Sequence, residues 1–368
     1  MHCTTTNKEN TCLFKWCKHK IAKRTFYEPY TTPMSKIAFF STQPYDREHF
    51  EKLTTHHKLE FFETRLGIKT VNLAQGYDGV CVFVNDKIDA QVIDQLKTMN
   101  VKLVALRCAG FNNVDLKAAR KAGIRVMRVP AYSPEAVAEH AVALIMALAR
   151  KTHKAYNRVR EGNFSLVKLN GFVLHGKTIG VLGTGKIGQA FCRIMQGFGM
   201  HILAFDKYPS PEMQAMGVEY VSLEDLLSQS QIVSLHCPLT PETHHIINTQ
   251  SLAQMKTGAM LINTSRGKLI DTAAVIDALK DQKLGSLGID VYEQEEKLFF
   301  RDLSEQIIRD DQISRLMGFP NVLVTAHQGF FTEESMEEIA HTTLQNFNDF
   351  EAGNKSENEV SCELIKDC

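Results

Sequence analysis

Two spacings of apolar residues alternate along most of this chain. Short runs that are apolar almost throughout are followed by stretches in which apolar residues recur every third or fourth position. The first pattern predicts strands buried on both faces and the second predicts helices, so the expected class is α/β, with parallel sheets covered by helices. A first series places strands at 37–41, 80–84, 103–107 and 125–129, with helices such as 89–96 and 115–122 between them. Ser133, Pro134 and Glu135 then supply an N-cap, a first-turn proline and an acid at the positive end of a helix expected to run to about Arg150. That helix is apolar on nearly every side and is expected to be buried. An irregular polar segment, 161–177, leads to a second series of about six strands: 178–182, 201–206, 232–236, 259–264, 287–291 and 322–326. A last helix is expected at 332–351, and no internal repeat is evident.

Composition narrows the function classes. Lys plus Arg and Asp plus Glu each total 42 in 368 residues, so no net charge draws the chain to nucleic acid or an anionic membrane. The longest apolar stretch, 136–149, is too short to span a bilayer and contains Glu139 and His140. Nine unevenly spaced cysteines resemble reduced thiols more than a disulfide framework, which points to the cytoplasm. The first 33 residues are basic and aperiodic and read as a flexible extension. Cys12, Cys17 and His19 within it lack the spacing and fourth ligand of a zinc site. The polar, acidic residues 356–368 read as a second loose end. The pairs His56–His57 and His244–His245 are not spaced to share a metal on one helix face, so no metal is assigned.

The second series opens on the most informative motif. Strand 178–182 runs directly into G-T-G-K-I-G, with Gly183, Gly185 and Gly188 flanking Lys186 and Ile187 at a helix start. The first glycine permits a tight turn, the second admits a pyrophosphate, and the third lets helix and strand pack closely. Asp206 ends the next strand, 18 residues beyond Gly188. There a carboxylate accepts hydrogen bonds from ribose hydroxyls and repels a 2′-phosphate, which favours NAD over NADP.

Four more groups fall at carboxyl ends of strands, where doubly wound sheets bind ligands. They are Cys237 and Pro238 with Thr243 after His236; Thr264, Ser265 and Arg266 after Asn263; Asp290 with Glu293, Glu295 and Glu296; and His327. Each alone has a plainer reading, as a surface charge, a solvated loop or a core histidine. Together they mark one rim.

With these motifs in view, residues 37–352 resemble the D-isomer-specific 2-hydroxyacid dehydrogenases, and within that family the fermentative D-lactate branch. The resemblance rests on G-T-G-K-I-G, N-T-S-R-G-K-L-I-D at 263–271, D-V-Y-E-Q-E at 290–295 and P-N-V-L-V-T-A-H-Q at 320–328. The insertion 297–319, with F-F-R-D-L-S at 299–304, also matches the branch. The resemblance implies two Rossmann-like doubly wound parallel-sheet domains separated by a cleft. A substrate-binding domain would comprise 36–131 with 329–355, and an NAD-binding domain 132–328. It implies Arg266, Glu295 and His327 as catalytic residues, with Glu293 a competing acid. The cofactor would be NAD, held by Gly183, Gly185, Lys186, Ile187, Gly188, Asp206, Cys237, Pro238, Thr243, Thr264, Ser265 and Asp290. The turn bearing Ala109 and Gly110 would offer N–H groups to a substrate carboxylate, Tyr132 would close on it, and Phe83 and Phe330 would form apolar walls. A homodimer or homotetramer is implied.

The chemistry asks for the same residue types. A 2-keto acid presents a carboxylate beside a ketone, which the planar guanidinium fork of Arg266 matches and lysine does not. Reduction leaves an alkoxide that needs a proton, a task for the His327 imidazolium, with the Glu295 carboxylate orienting it. Cys108 and Cys237 have no part in this chemistry and are expected to be buried. The expected reaction is reduction of pyruvate to D-lactate by NADH. A glyoxylate or hydroxypyruvate reductase, and an NAD-sensing protein resembling the corepressors of this fold, stay open as alternatives.

Overall fold

The computed structural model describes residues 35–54 and 56–360. The basic N-terminal extension, with Cys12, Cys17 and His19, lies outside the described residues, as do 361–368. Two all-parallel sheets organise the rest. The first has strands β1 (Lys36–Phe39), β2 (Lys58–Phe61), β3 (Gly79–Val82), β4 (Leu103–Leu106) and β5 (Arg125–Arg128), ordered β2-β1-β3-β4-β5. Helices α1 (Pro44–Leu53), α2 (Ala90–Thr98) and α3 (Leu116–Ala122) cover it. α2 and α3 each begin on an aspartate cap, Asp89 and Asp115 accepting from the N–H three residues on.

The chain then enters α4 (Pro134–Arg150), whose cap Ser133 accepts from Ala136 N–H. Largely apolar, α4 buries Ala138, Ala141, Leu144, Ile145 and Ala149 against the second sheet. After α5 (Thr152–Arg160), that sheet follows with β6 (Thr178–Leu182), β7 (His201–Phe205), β8 (Glu219–Tyr220), β9 (Ile232–Leu235), β10 (Ala259–Asn263), β11 (Leu284–Ile289) and β12 (Val322–Val324). Helices α6 (Lys186–Gly197), α7 (Pro211–Ala215), α8 (Leu223–Gln229), α9 (Thr249–Gln254), α10 (Thr272–Lys280) and α11 (Asp311–Gly318) lie between these strands. The order is β12-β11-β10-β9-β6-β7-β8. It reverses between β6 and β9, the crevice where doubly wound sheets take ligands. The last helix, α12 (Glu333–Glu351), returns to pack Ile339, Leu344 and Phe347 beside Phe39 and Met127 of the first sheet.

Three differences from the sequence reading have physical causes. Each sheet has one more strand than expected, because β2 and β8 are edge strands whose exposed charges, Lys58, Glu60 and Glu219, hide the apolar run. Residues 356–360 of the expected loose end are held to the first sheet: Glu359 pairs antiparallel with Met127, Val360 N–H donates to Val126 O at 2.8 Å, and Arg125 binds Glu359 at 2.8 Å. Cys108 is buried as expected, but Cys237 is only half-buried. Among the described residues no helix is long and apolar enough to cross a membrane.

Candidate active site

The glycine turn is built as the motif demands. Gly183 sits at φ +96°, and a Cβ there would lie 2.7 Å from the Cys237 nitrogen. A Cβ on Gly188 would lie 2.0 Å from Gly183 O, so that glycine sets the approach of α6 to β6. Gly185 is different. A Cβ on it would meet nothing within 4 Å, and it caps α6 with no side chain over the first turn. This leaves open space before a helix N-terminus, beside exposed Lys186 and half-buried Ile187, as a pyrophosphate requires.

A hydrogen-bonded chain fixes Asp206 beside this turn. Ser210 N–H donates to Tyr220 Oη at 3.0 Å, Tyr220 donates to Thr184 Oγ1 at 2.8 Å, and Thr184 N–H donates to Asp206 Oδ2 at 2.6 Å. Tyr220 and Thr184 carried no sequence signal, since only the fold brings them together. Across the crevice, the loop 237–243 closes on itself through Thr243 Oγ1, which donates to Pro238 O at 2.7 Å. Ser265 Oγ donates to Leu235 O at 2.8 Å, and buried Thr264 Oγ1 has no protein partner. An orphaned hydroxyl and an open helix end are what a bound dinucleotide would satisfy. His236 packs its ring 4.5 Å from that of Phe191 and pairs with Ser234 Oγ at 2.9 Å; burial pulls it down to about 3, so it is neutral.

The turns after β10, β11 and β12 carry Arg266, Glu295 and His327, and the last two meet directly. Asn263 holds the first turn, accepting from Ser265 N–H at 3.0 Å and donating to Arg266 O at 2.9 Å. The Arg266 guanidinium reaches the loop after β4: a Cβ on Gly110 would lie 2.7 Å from its Nη2. Burial pushes the nearby Tyr132 hydroxyl up to about 12, with the Arg266 charge pulling the other way. Glu295 Oε2 accepts from Tyr292 N–H at 3.0 Å, and its Oε1 lies 2.9 Å from His327 Nδ1, both side chains being 16% exposed. Glu293, the competing acid, points elsewhere, to His245 Nε2 at 2.7 Å and Thr272 N–H at 3.0 Å.

Aromatic rings wall this centre. Phe300 lies 5.9 Å and Phe330 6.5 Å from the His327 ring, Phe83 is 5.4 Å from Phe300 and 5.9 Å from Phe330, and Tyr132 is 6.1 Å from Phe330. Phe300 was missed as a site residue; its one signal is its place in the F-F pair at 299–300 of the insertion. Buried Arg107 stacks 4.9 Å over Phe83 and is held by Asp46 and the Phe40 and Ser41 carbonyls. Ala109 and Gly110 are half-buried at the rim.

Asp290, grouped with the cofactor residues by sequence, has both oxygens engaged by the loop that carries His327. Oδ1 accepts from Thr325 Oγ1 at 2.5 Å and Gln328 N–H at 2.9 Å, and Oδ2 accepts from Gly329 N–H at 2.8 Å. Burial alone would raise this carboxyl, but bonds from His140 and Thr325 outweigh it and hold it below its ordinary value.

Comparison with known proteins agrees with this geometry. Residues 142–329 match the family described as D-isomer specific 2-hydroxyacid dehydrogenase, NAD binding domain. The chain is 53% identical over 327 residues to a D-lactate dehydrogenase of Escherichia coli (strain K12), covering 88% of this chain and 99% of that one. Its fold superposes on a structure described as the pyruvate reductase of Chlamydomonas reinhardtii with a TM-score of 0.83, 47% identity and coverage of 88% and 98%. It also superposes on an Aquifex aeolicus D-lactate dehydrogenase complexed with NAD and lactic acid, with a TM-score of 0.77, 34% identity and coverage of 86% and 96%.

Proposed function

Because this chain belongs to the D-isomer-specific 2-hydroxyacid dehydrogenases, NAD-dependent oxidoreductases, we propose that it reduces pyruvate to D-lactate, with Arg266, Glu295 and His327 as its catalytic residues. The observation that carries the reading is the 2.9 Å Glu295–His327 pair in a cleft whose opposite wall brings Gly110 against Arg266. In this reading the pyruvate carboxylate lies between the guanidinium and the N–H groups of the Ala109–Gly110 turn. The planar fork reaches the ketone oxygen as well. Glu295 occupies Nδ1 of His327, which leaves Nε2 to donate the proton that the developing alkoxide takes up. NADH held there would supply the hydride that the ketone carbon needs. Oxidation of the hydroxy acid runs the same steps in reverse, with neutral His327 accepting the proton.

Phe83, Phe300 and Phe330 make a small apolar wall that suits a methyl group, and Tyr132 closes its side. Residues 132–328 hold NAD in this reading, through the G-T-G-K-I-G turn, Asp206, the loop 237–243 with Cys237, Pro238 and Thr243, and the 264–265 turn. Residues 36–131 and 329–355 supply the substrate side. Asp290 holds the His327 loop beside the nicotinamide end of that site. A second copy of the chain is the proposed partner. In favour of it, α5 and the segment after it present Tyr156, Phe164, Leu166, Val167 and Val173 to solvent, with Leu166 82% exposed. The proposed compartment is the cytoplasm.

The test is NADH oxidation with pyruvate, phenylpyruvate, 2-ketoisocaproate, glyoxylate and hydroxypyruvate. The highest kcat/KM should fall on pyruvate. A clear preference for glyoxylate or hydroxypyruvate would replace the lactate reading, and no turnover with any of them would refute catalysis on 2-keto acids.

A further inference from the structure

His140, a polar side chain that α4 sends toward the loop after β12, has no part in the reaction proposed above. His140 lies on a helix that is otherwise apolar where it meets the second sheet, with its side chain 15% exposed. Its Nε2 is 3.0 Å from Thr325 Oγ1 and 3.3 Å from Asp290 Oδ1. The proton positions follow from bonding capacity. Thr325 has one hydroxyl proton, and its 2.5 Å contact to Asp290 Oδ1 uses it, because two acceptors would repel at that distance. His140 therefore carries a proton on Nε2 and donates it to Thr325 or to Asp290.

Asp290 in turn fixes the backbone that presents His327. Its carboxylate takes Gln328 N–H and Gly329 N–H, and its carbonyl takes His327 N–H at 2.7 Å. That backbone needs fixing: His327 sits at φ +57°, in the left-handed region that disfavours a residue with a Cβ. Gly329 packs against both partners, since a Cβ there would lie 3.1 Å from Asp290 Oδ2 and 3.4 Å from His140 Cδ2.

We propose that His140 is a positioning residue for the reaction: through Thr325 and Asp290 it ties α4 to the strained turn that holds His327 against Glu295. This rests on the reading of His327 as proton donor. His140 touches neither Glu295 nor His327. Its effect is to keep the Asp290 hub ordered, and with it the left-handed backbone at His327.

The test uses the full chain in four variants, His140→Leu and His140→Gln, Thr325→Val and Thr325→Ser. Gln and Ser keep a donor where Leu and Val do not. Two quantities are read: kcat and KM for pyruvate beside NADH affinity from fluorescence, and the downfield Nδ1 proton resonance of His327, assigned by its loss in His327→Gln. In His140→Leu and Thr325→Val, kcat should fall about tenfold or more, NADH affinity should stay within about twofold, and the resonance should broaden or vanish. His140→Gln and Thr325→Ser should restore most of both. An unchanged resonance in His140→Leu overturns the proposal, as does a loss confined to NADH affinity or equal loss with and without the donor. The Thr325 pair decides alone if His140→Leu does not fold. Because the resonance is read without turnover, it tests the positioning even if pyruvate is not the substrate.

Discussion

Glu295 Oε1 lies 2.9 Å from His327 Nδ1, although the two residues are 32 positions apart and sit on the turns after different strands. A carboxylate there accepts from Nδ1–H and leaves Nε2 facing the substrate. Glu295→Gln keeps a polar neighbour of the same shape, but its amide can also turn a donor toward Nδ1, so the ring is no longer held in one orientation. In this variant kcat for pyruvate should fall about tenfold or more while NADH affinity stays within about twofold. Steady-state kinetics beside NADH fluorescence checks this, and an unchanged kcat would dissociate Glu295 from the orientation of His327.

The glycine turn separates folding from binding. Gly185→Ala introduces a methyl group into open space, so melting temperature should change little while NADH affinity falls at least tenfold. Gly188→Ala drives a methyl group onto Gly183 O and should destabilise the protein by about 1–3 kcal/mol. Thermal melting and NADH titration of both variants make the comparison. Normal NADH affinity in Gly185→Ala would remove the pyrophosphate from this turn.

Arg266→Lys keeps a positive charge but loses the fork that faces Gly110. The expected result is a fall of at least a hundredfold in kcat/KM for pyruvate, about 2.7 kcal/mol, with NADH affinity preserved. Steady-state kinetics beside NADH fluorescence reads both. Near-normal turnover would show that a point charge suffices and that Arg266 is no clamp.

Acid stability carries a signature of His236. Burial holds its ring at about 3, against about 6.5 when unfolded, so between those values the unfolded chain binds a proton that the folded protein does not. Stability from this source is complete above about pH 6.5 and is lost as pH falls toward 3. His57, also lowered chiefly by burial, acts in the same direction. His236→Gln should therefore melt at a temperature that falls less steeply between pH 7 and pH 5 than in wild type. Parallel slopes would mean that His236 charges without penalty.

Much of this was legible in the sequence because it is local. The G-T-G-K-I-G turn, the Ser133 cap and the strand ends bearing Arg266, Asp290 and His327 depend on neighbours a few residues away. The strands with charged edges, β2 and β8, were lost because half their surface faces water. Glu359 and Val360 read as tail because their partners, Arg125 and Val126, lie more than 230 positions earlier. Asp290 illustrates the same limit: its place at a strand end was evident, but its direction is set by Thr325, Gln328, Gly329 and His140. The choice between Glu293 and Glu295 likewise became physical only once His245 and Thr272 were seen to occupy Glu293.

The most direct measurement of the central claim is the configuration of the product. Purified protein is incubated with pyruvate and NADH, and the lactate formed is resolved by chiral chromatography. With His327 and Arg266 fixing one face of the ketone, the account predicts one enantiomer, D-lactate, in an amount equal to the NADH consumed. L-lactate, a racemic product, or NADH consumption without lactate would contradict it.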